Sequence, residues 1–75
     1  MSASKLSTVI AWSNGRTMAF GHGGEQLDAY QGDVEKVAKK IVDDADDDTE
    51  FWYGVWKQGR EPMTKAEFAA KYVKD

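Results

Sequence analysis

Residues 6–12, Leu-Ser-Thr-Val-Ile-Ala-Trp, are dense in β-branched and aromatic side chains, and residues 16–21 resume that character after Ser13-Asn14-Gly15-Arg16. Such runs favour strands. Asn-Gly between them is the strongest short hairpin signal, because both central residues of a tight turn take positive φ. A two-residue turn predicts that Trp12 opposes Thr17, Ala11 opposes Met18 and Val9 opposes Phe20. One hairpin face then carries Val9, Ala11, Met18 and Phe20. The other carries Leu6, Ile10, Trp12 and Ala19 with Thr8 and Thr17. Both faces are apolar enough to need cover.

Gly21-His22-Gly23-Gly24 breaks the pattern, and Glu25 to Gln31 reads as an extended connector with the option of a short edge strand. Gly32-Asp33 opens the clearest helix, with Asp33 as N-cap. Val34, Val37, Ala38, Ile41, Val42 and Ala45 recur at i, i+3, i+4, i+7, i+8 and i+11, forming one apolar stripe. Glu35–Lys39, Lys39–Asp43 and Lys40–Asp44 are i,i+4 pairs on the opposite side. Residues 51–57 fit two periods. Phe51, Tyr53 and Val55 alternate with Trp52, Gly54 and Trp56 as in a strand, while Phe51, Trp52, Val55 and Trp56 also sit at helical spacing. Aromatic composition favours the strand, and a lone hairpin is rarely stable without a third partner. Gln58-Gly59-Arg60 reads as a turn. Pro62 precludes a helix before Thr64-Lys65-Ala66-Glu67, a capping box that opens a last helix with Phe68, Ala69, Tyr72 and Val73 inward.

The predicted architecture is α+β: a small antiparallel sheet, made of an N-terminal β-hairpin plus a third strand, with two helices on one face in the order β-β-α-β-α. Residues 1–75 are expected to form a single domain. A chain of 75 residues buries only about 60% of its unfolded surface, so stability is marginal without a staple. Zero cysteines remove disulfides and thiolate metal sites, and one histidine, His22, cannot build a His-based site within one chain. No cofactor or metal is expected. Val9-Ile10-Ala11-Trp12 is too short for a membrane span or signal core. These features fit a cytoplasmic protein, and the size and acidity suit a bacterial or phage cytoplasm. From the start at Met1 and the polar tail after it, a complete small gene product is expected rather than an excised domain.

Charge changes the picture most. Of 13 acids and 10 bases, six acids fall in Asp43-Asp44-Ala45-Asp46-Asp47-Asp48-Thr49-Glu50, and the rest of the chain has three more bases than acids. The net charge of −3 therefore conceals a strongly uneven field of the kind that steers charged partners. Carboxylates at a helix C-terminus oppose the macrodipole. Asp43 and Asp44 have Lys39 and Lys40 as partners, whereas Asp46, Asp47, Asp48 and Glu50 have no base nearby in sequence, so the fold has no evident need of them. The run also matches the first half of a calcium loop, but Thr49 and Val55 stand where that loop requires Gly and Glu.

The aromatics that follow are ordinary core material, with one geometric restriction. On a strand, Phe51 and Tyr53 face opposite to Trp52 and Trp56, and helices on one side cover only one set. The uncovered set joins a hairpin face in a patch that monomers rarely expose. Trp is a favoured binding anchor. The Gly21–Gly24 loop lacks the spacing of a nucleotide fingerprint. His22, with Ser7 as a nucleophile across the hairpin, lacks an orienting acid. The bases are dispersed, which disfavours direct nucleic-acid binding.

The expectation is a non-enzymatic, acidic protein-interaction module, a modulator or inhibitor that docks onto a larger, basic-surfaced protein. Trp12, Trp52 and Trp56 would anchor it, and Asp46, Asp47, Asp48 and Glu50 would steer it. The alternatives are a structural homo-oligomer, such as a homodimer, joined through a sheet face, and a nucleic-acid mimic that inhibits a DNA- or RNA-handling enzyme.

Overall fold

The computed structural model describes residues 5–55 and 57–73, and Trp56, one of the three expected anchors, lies outside them. The chain forms β1 (Thr8–Trp12), β2 (Arg16–Phe20), a 3-10 turn (Asp28–Tyr30), β3 (Gly32–Asp33), α1 (Val34–Asp44), β4 (Glu50–Val55), β5 (Gly59–Met63) and α2 (Lys65–Tyr72). The strands make one five-stranded mixed sheet in the order β3-β2-β1-β4-β5.

The sheet is not wholly antiparallel, because β4 runs parallel to β1, with Thr8 opposite Glu50 and Ile10 opposite Trp52. The reason lies in the connection. Val34 N–H donates to the Gly15 carbonyl at 2.8 Å, so α1 starts beside the hairpin turn. A helix of 11 residues spans roughly 16 Å, about the length of a five-residue strand. It returns the chain to the end where β1 began, and a strand starting there runs parallel to β1.

The hairpin forms with a register one residue away from the expected one: Thr8 pairs with Phe20, Val9 with Ala19, Ile10 with Met18 and Ala11 with Thr17. The loop has three residues, Ser13-Asn14-Gly15. Only Gly15 among them takes positive φ, at 87°, and its N–H donates to the Trp12 carbonyl at 2.9 Å. This is the three-residue loop in which a left-handed glycine closes a type I turn. A one-residue slip turns a strand over. Thr17 and Ala19 therefore face the helices, and Met18 and Phe20 join the side of Ile10 and Trp12.

β5 forms where a turn and a break were expected. It is an edge strand, and Pro62 opposite Trp52 is tolerated there because an outer N–H has no ladder partner to lose. The expected connector over 25–31 holds the 3-10 turn and an isolated bridge between Phe20 and Gln26. Both helix starts match expectation. Asp33 caps α1 by accepting from Glu35 N–H at 3.0 Å. At α2, Thr64 Oγ1 accepts from Glu67 N–H at 3.0 Å while Glu67 Oε1 accepts from Thr64 N–H at 2.9 Å.

The core lies on one side of the sheet. Val9, Ala11, Ala19 and Phe51 meet Val34, Ala38 and Ile41 of α1 and Phe68 of α2. Lys65, in the first turn of α2, donates to the carbonyl of Ala45 at 2.8 Å and so closes the C-terminus of α1. Tyr30, also in the core, donates to Asp44 Oδ2 at 2.5 Å and ties the 3-10 turn to the last turn of α1. That hydrogen bond, then burial and the Asp44 charge, raise the Tyr30 pKa above its ordinary value.

A phenol whose folded pKa is raised keeps its proton after the unfolded chain has lost its own, so stability falls as pH rises. The contribution is complete below the unfolded value near 10 and disappears as pH climbs through the folded one. Urea midpoints measured from pH 8 upward should therefore decline more steeply for the wild type than for Tyr30→Phe. Parallel declines would show that the Tyr30–Asp44 bond carries none of the alkaline sensitivity.

Candidate functional site

The side of the sheet away from the helices is built by strict alternation. Thr8, Ile10 and Trp12 point there from β1, and their register partners point there with them. Three rows result. Phe20, Thr8 and Glu50 form the first; Met18, Ile10, Trp52 and Pro62 the second; Trp12, Gly54 and Arg60 the third, with Arg16 next in line on β2. Neither described helix covers them.

The middle row is apolar from edge to edge. Ile10 is only 4% exposed yet stands outside the helix-covered core cluster. Its neighbours on the open face bury it. Trp12, Met18, Phe20 and Trp52 are half-buried. Trp12 lies flat across β4: a Cβ built on Gly54 would sit 2.7 Å from ring carbons Cε3 and Cζ3. The Arg60 guanidinium stands 5.2 Å from the centroid of the Trp52 ring, a cation–π distance. Two shallow depressions flank Trp12. One, of about 320 Å³, is lined by Met18, Arg16 and Gln31 among others. The other, of about 360 Å³, is lined by Val55, Lys57, Gly59 and Arg60.

Charge is distributed unevenly along this face. Arg16, Lys57 and Arg60 are exposed at the end nearest the hairpin turn. Asp47, Asp48 and Glu50 are exposed at the opposite end, and a groove of about 410 Å³ joins Asp47 and Glu50 to Trp52 and Pro62. The acidic run thus abuts the open aromatic surface in space as well as in sequence.

The acids are not equivalent. Asp46 is half-buried and its Oδ1 accepts from Asp48 N–H at 3.0 Å. The Thr49 hydroxyl, in a side chain 8% exposed, lies 3.1 Å from both Asp46 Oδ1 and the Leu6 carbonyl and accepts from Asp46 N–H. Asp46 therefore has a structural part, in shaping the turn into β4. Asp44 is likewise engaged, by Tyr30. Asp47, Asp48 and Glu50 are left at the surface.

Of the expected anchors, Trp12 and Trp52 share the open face, and Phe51 is the aromatic taken into the core, at 2% exposure. Sequence reading did not place Arg16, Met18, Phe20, Arg60 and Pro62 on this surface, because their faces depend on the hairpin register and on a strand that Pro62 masked. Gly54 carried a signal, since glycine inside a strand often marks a close approach. The loop Gly21–Gly24 is folded around Glu25, whose Oε1 accepts from Gly23 N–H at 2.9 Å, and His22 is exposed there. Among the described residues, no three His, Cys, Asp or Glu side chains are grouped to hold a metal ion, and no helix is long and apolar enough to cross a membrane.

No family model matches this chain, and neither a curated protein nor a solved structure matches it. The fold and its surface are therefore what a functional reading has to stand on.

Proposed function

We propose that this protein is a non-enzymatic interaction module, a small acidic modulator or inhibitor that docks onto a larger protein through the open face of its sheet. The observation that carries this reading is the row Met18–Ile10–Trp52–Pro62, continued by Trp12, which neither described helix covers. An apolar, aromatic surface of this kind is uncommon on a free monomer, and indole rings are favoured anchors in binding interfaces. The surface it fits has an apolar centre, with basic groups facing Asp47, Asp48 and Glu50 and acidic groups facing Arg16 and Arg60. Such complementarity acts mainly on encounter rate and orientation, and the aromatic centre on residence time.

The test is capture from a lysate of the native cell on immobilised wild-type chain, Trp52→Ser and Asp47→Asn/Asp48→Asn, all three first checked for an unchanged far-UV spectrum. A protein retained by the wild type, lost with Trp52→Ser and bound more slowly by the double variant supports the reading. Equal retention by all three overturns it, because both the face and the acids would then be irrelevant. Asp46 is kept in every variant, since its carboxylate holds the turn.

A further inference from the structure

The charge pattern on the open face is its own complement. Glu50 and Gly54 lie four residues apart on β4, and Arg60 is the register partner of Gly54, so the backbone positions of Glu50 and Arg60 are separated by roughly 13 Å along the strand. They stand toward opposite ends of the open face, with the Arg60 guanidinium over the Trp52 ring. A two-fold axis lying between two stacked sheets offers two arrangements. With the axis along the strands, Arg60 would lie over the arginine end of its copy and Glu50 over the acidic end, which places like charges together. With the axis across the strands, the rows exchange. The arginine end of each chain then covers the acidic end of the other, and the middle row of Met18, Ile10, Trp52 and Pro62 packs on itself.

We infer that in the isolated protein the open face is covered by a second copy of this chain, in the antiparallel two-fold arrangement that brings Arg60 of each protomer to Glu50 of its partner. The inference rests on the reading of that face as a docking surface and adds how the surface is kept when no larger partner is present. An isologous contact of this kind needs one self-complementary patch only. The Ile10 row supplies its apolar centre, and the charged ends set its direction. Asp47 and Asp48 remain at the rim, available to steer a larger protein, which would compete with the second copy for the same face.

The experiment uses the full chain, purified, in analytical ultracentrifugation at low salt, with Arg60→Glu, Glu50→Lys and an equimolar mixture of the two. The wild type should sediment as a dimer. Each single variant places two like-charge pairs across the interface and should raise the dimer dissociation constant by about tenfold or more. When one chain of each variant meets the other, both cross-interface pairs are again opposite in charge. Hetero-dimers should therefore form in the mixture at wild-type affinity and dissociate as salt is raised. Glu50 is exposed, so Glu50→Lys tests the contact without disturbing the fold. A wild type that is monomeric at high micromolar concentration overturns the inference, as does a mixture that associates no better than its two components. Either failure leaves the docking function to be judged by the capture experiment, which reads retention of a different protein.

Discussion

Phe68→Ala should remove a large part of this protein's folding stability. Phe68 is fully buried and is the buried residue of α2. Its ring centroid lies 4.9 Å from that of Phe51 on β4 and 5.0 Å from that of Tyr72 one turn later. Truncating a buried phenylalanine typically costs about 3–5 kcal/mol, from lost transfer energy and the cavity left behind. A domain of this length has on the order of 4–11 kcal/mol in total at ordinary per-residue stability. The loss is therefore at least about a quarter of the whole and, at the low end of that range, all of it. An eight-residue helix does not hold itself together in water, so α2 depends on this side chain and on the Lys65 bond to Ala45 for its place. Urea denaturation followed by far-UV circular dichroism is the measurement, with Phe68→Leu as the milder companion. A change below about 1 kcal/mol for Phe68→Ala would be that of a surface site and would mean that α2 is not docked on the sheet.

The same residues show which parts of the fold could be read in advance. The α1 stripe and its Asp33 cap, and the Thr64–Glu67 box of α2, are local signals whose causes lie within one helical turn, and both helices form where they point. Residues 50–55 resolve in favour of a strand, as aromatic density suggested. What failed was non-local or one residue fine. Asn14-Gly15 supports a two-residue turn and a three-residue loop equally well. Choosing between them decides whether Thr17 and Ala19 or Met18 and Phe20 meet the helices, and Met18 and Phe20 went to the open side. The direction of β4 depends on where α1 delivers the chain, which no pattern inside β4 records. Pro62 argued against a strand because the position of β5 at the edge could not be known.

For the site, the sequence separated charge from structure too cleanly. Six acids within eight positions look alike on paper, yet Asp44 is bonded by a core tyrosine and Asp46 by a threonine that also reaches the N-terminal segment at Leu6. An Asp followed two residues later by a free N–H and three residues later by Thr is a turn signal in its own right, and it was hidden inside a charge run. Alternation alone set Trp52 and Phe51 on opposite faces but left open which of them the helices cover, and the structure buries Phe51. Its grouping with Trp12, Met18 and Arg60 required the register.

Gly54→Ala should destabilise the protein through one side chain, Trp12. The added methyl would sit 2.7 Å from the indole ring, closer than carbon atoms approach, so the ring has to lift off the strand. Overpacking of this sort usually costs about 1–3 kcal/mol. Here the ring is half-buried on the sheet face away from the helices, which favours the lower half of that range and an indole more exposed to water. Fluorescence should shift to the red on substitution, even where the protein stays folded. The decisive comparison is a double-mutant cycle with Trp12→Ala. Without the ring, a methyl at position 54 meets no obstacle, and alanine is a better strand residue than glycine, which loses more backbone entropy on folding. Gly54→Ala should then be neutral or mildly stabilising in the Trp12→Ala background and costly in the wild type, with a coupling of at least about 1 kcal/mol between the two sites. Equal costs in both backgrounds would place the constraint in the β4 backbone instead, and would remove the reason for thinking that glycine at 54 exists to let Trp12 lie down on the surface through which this module docks.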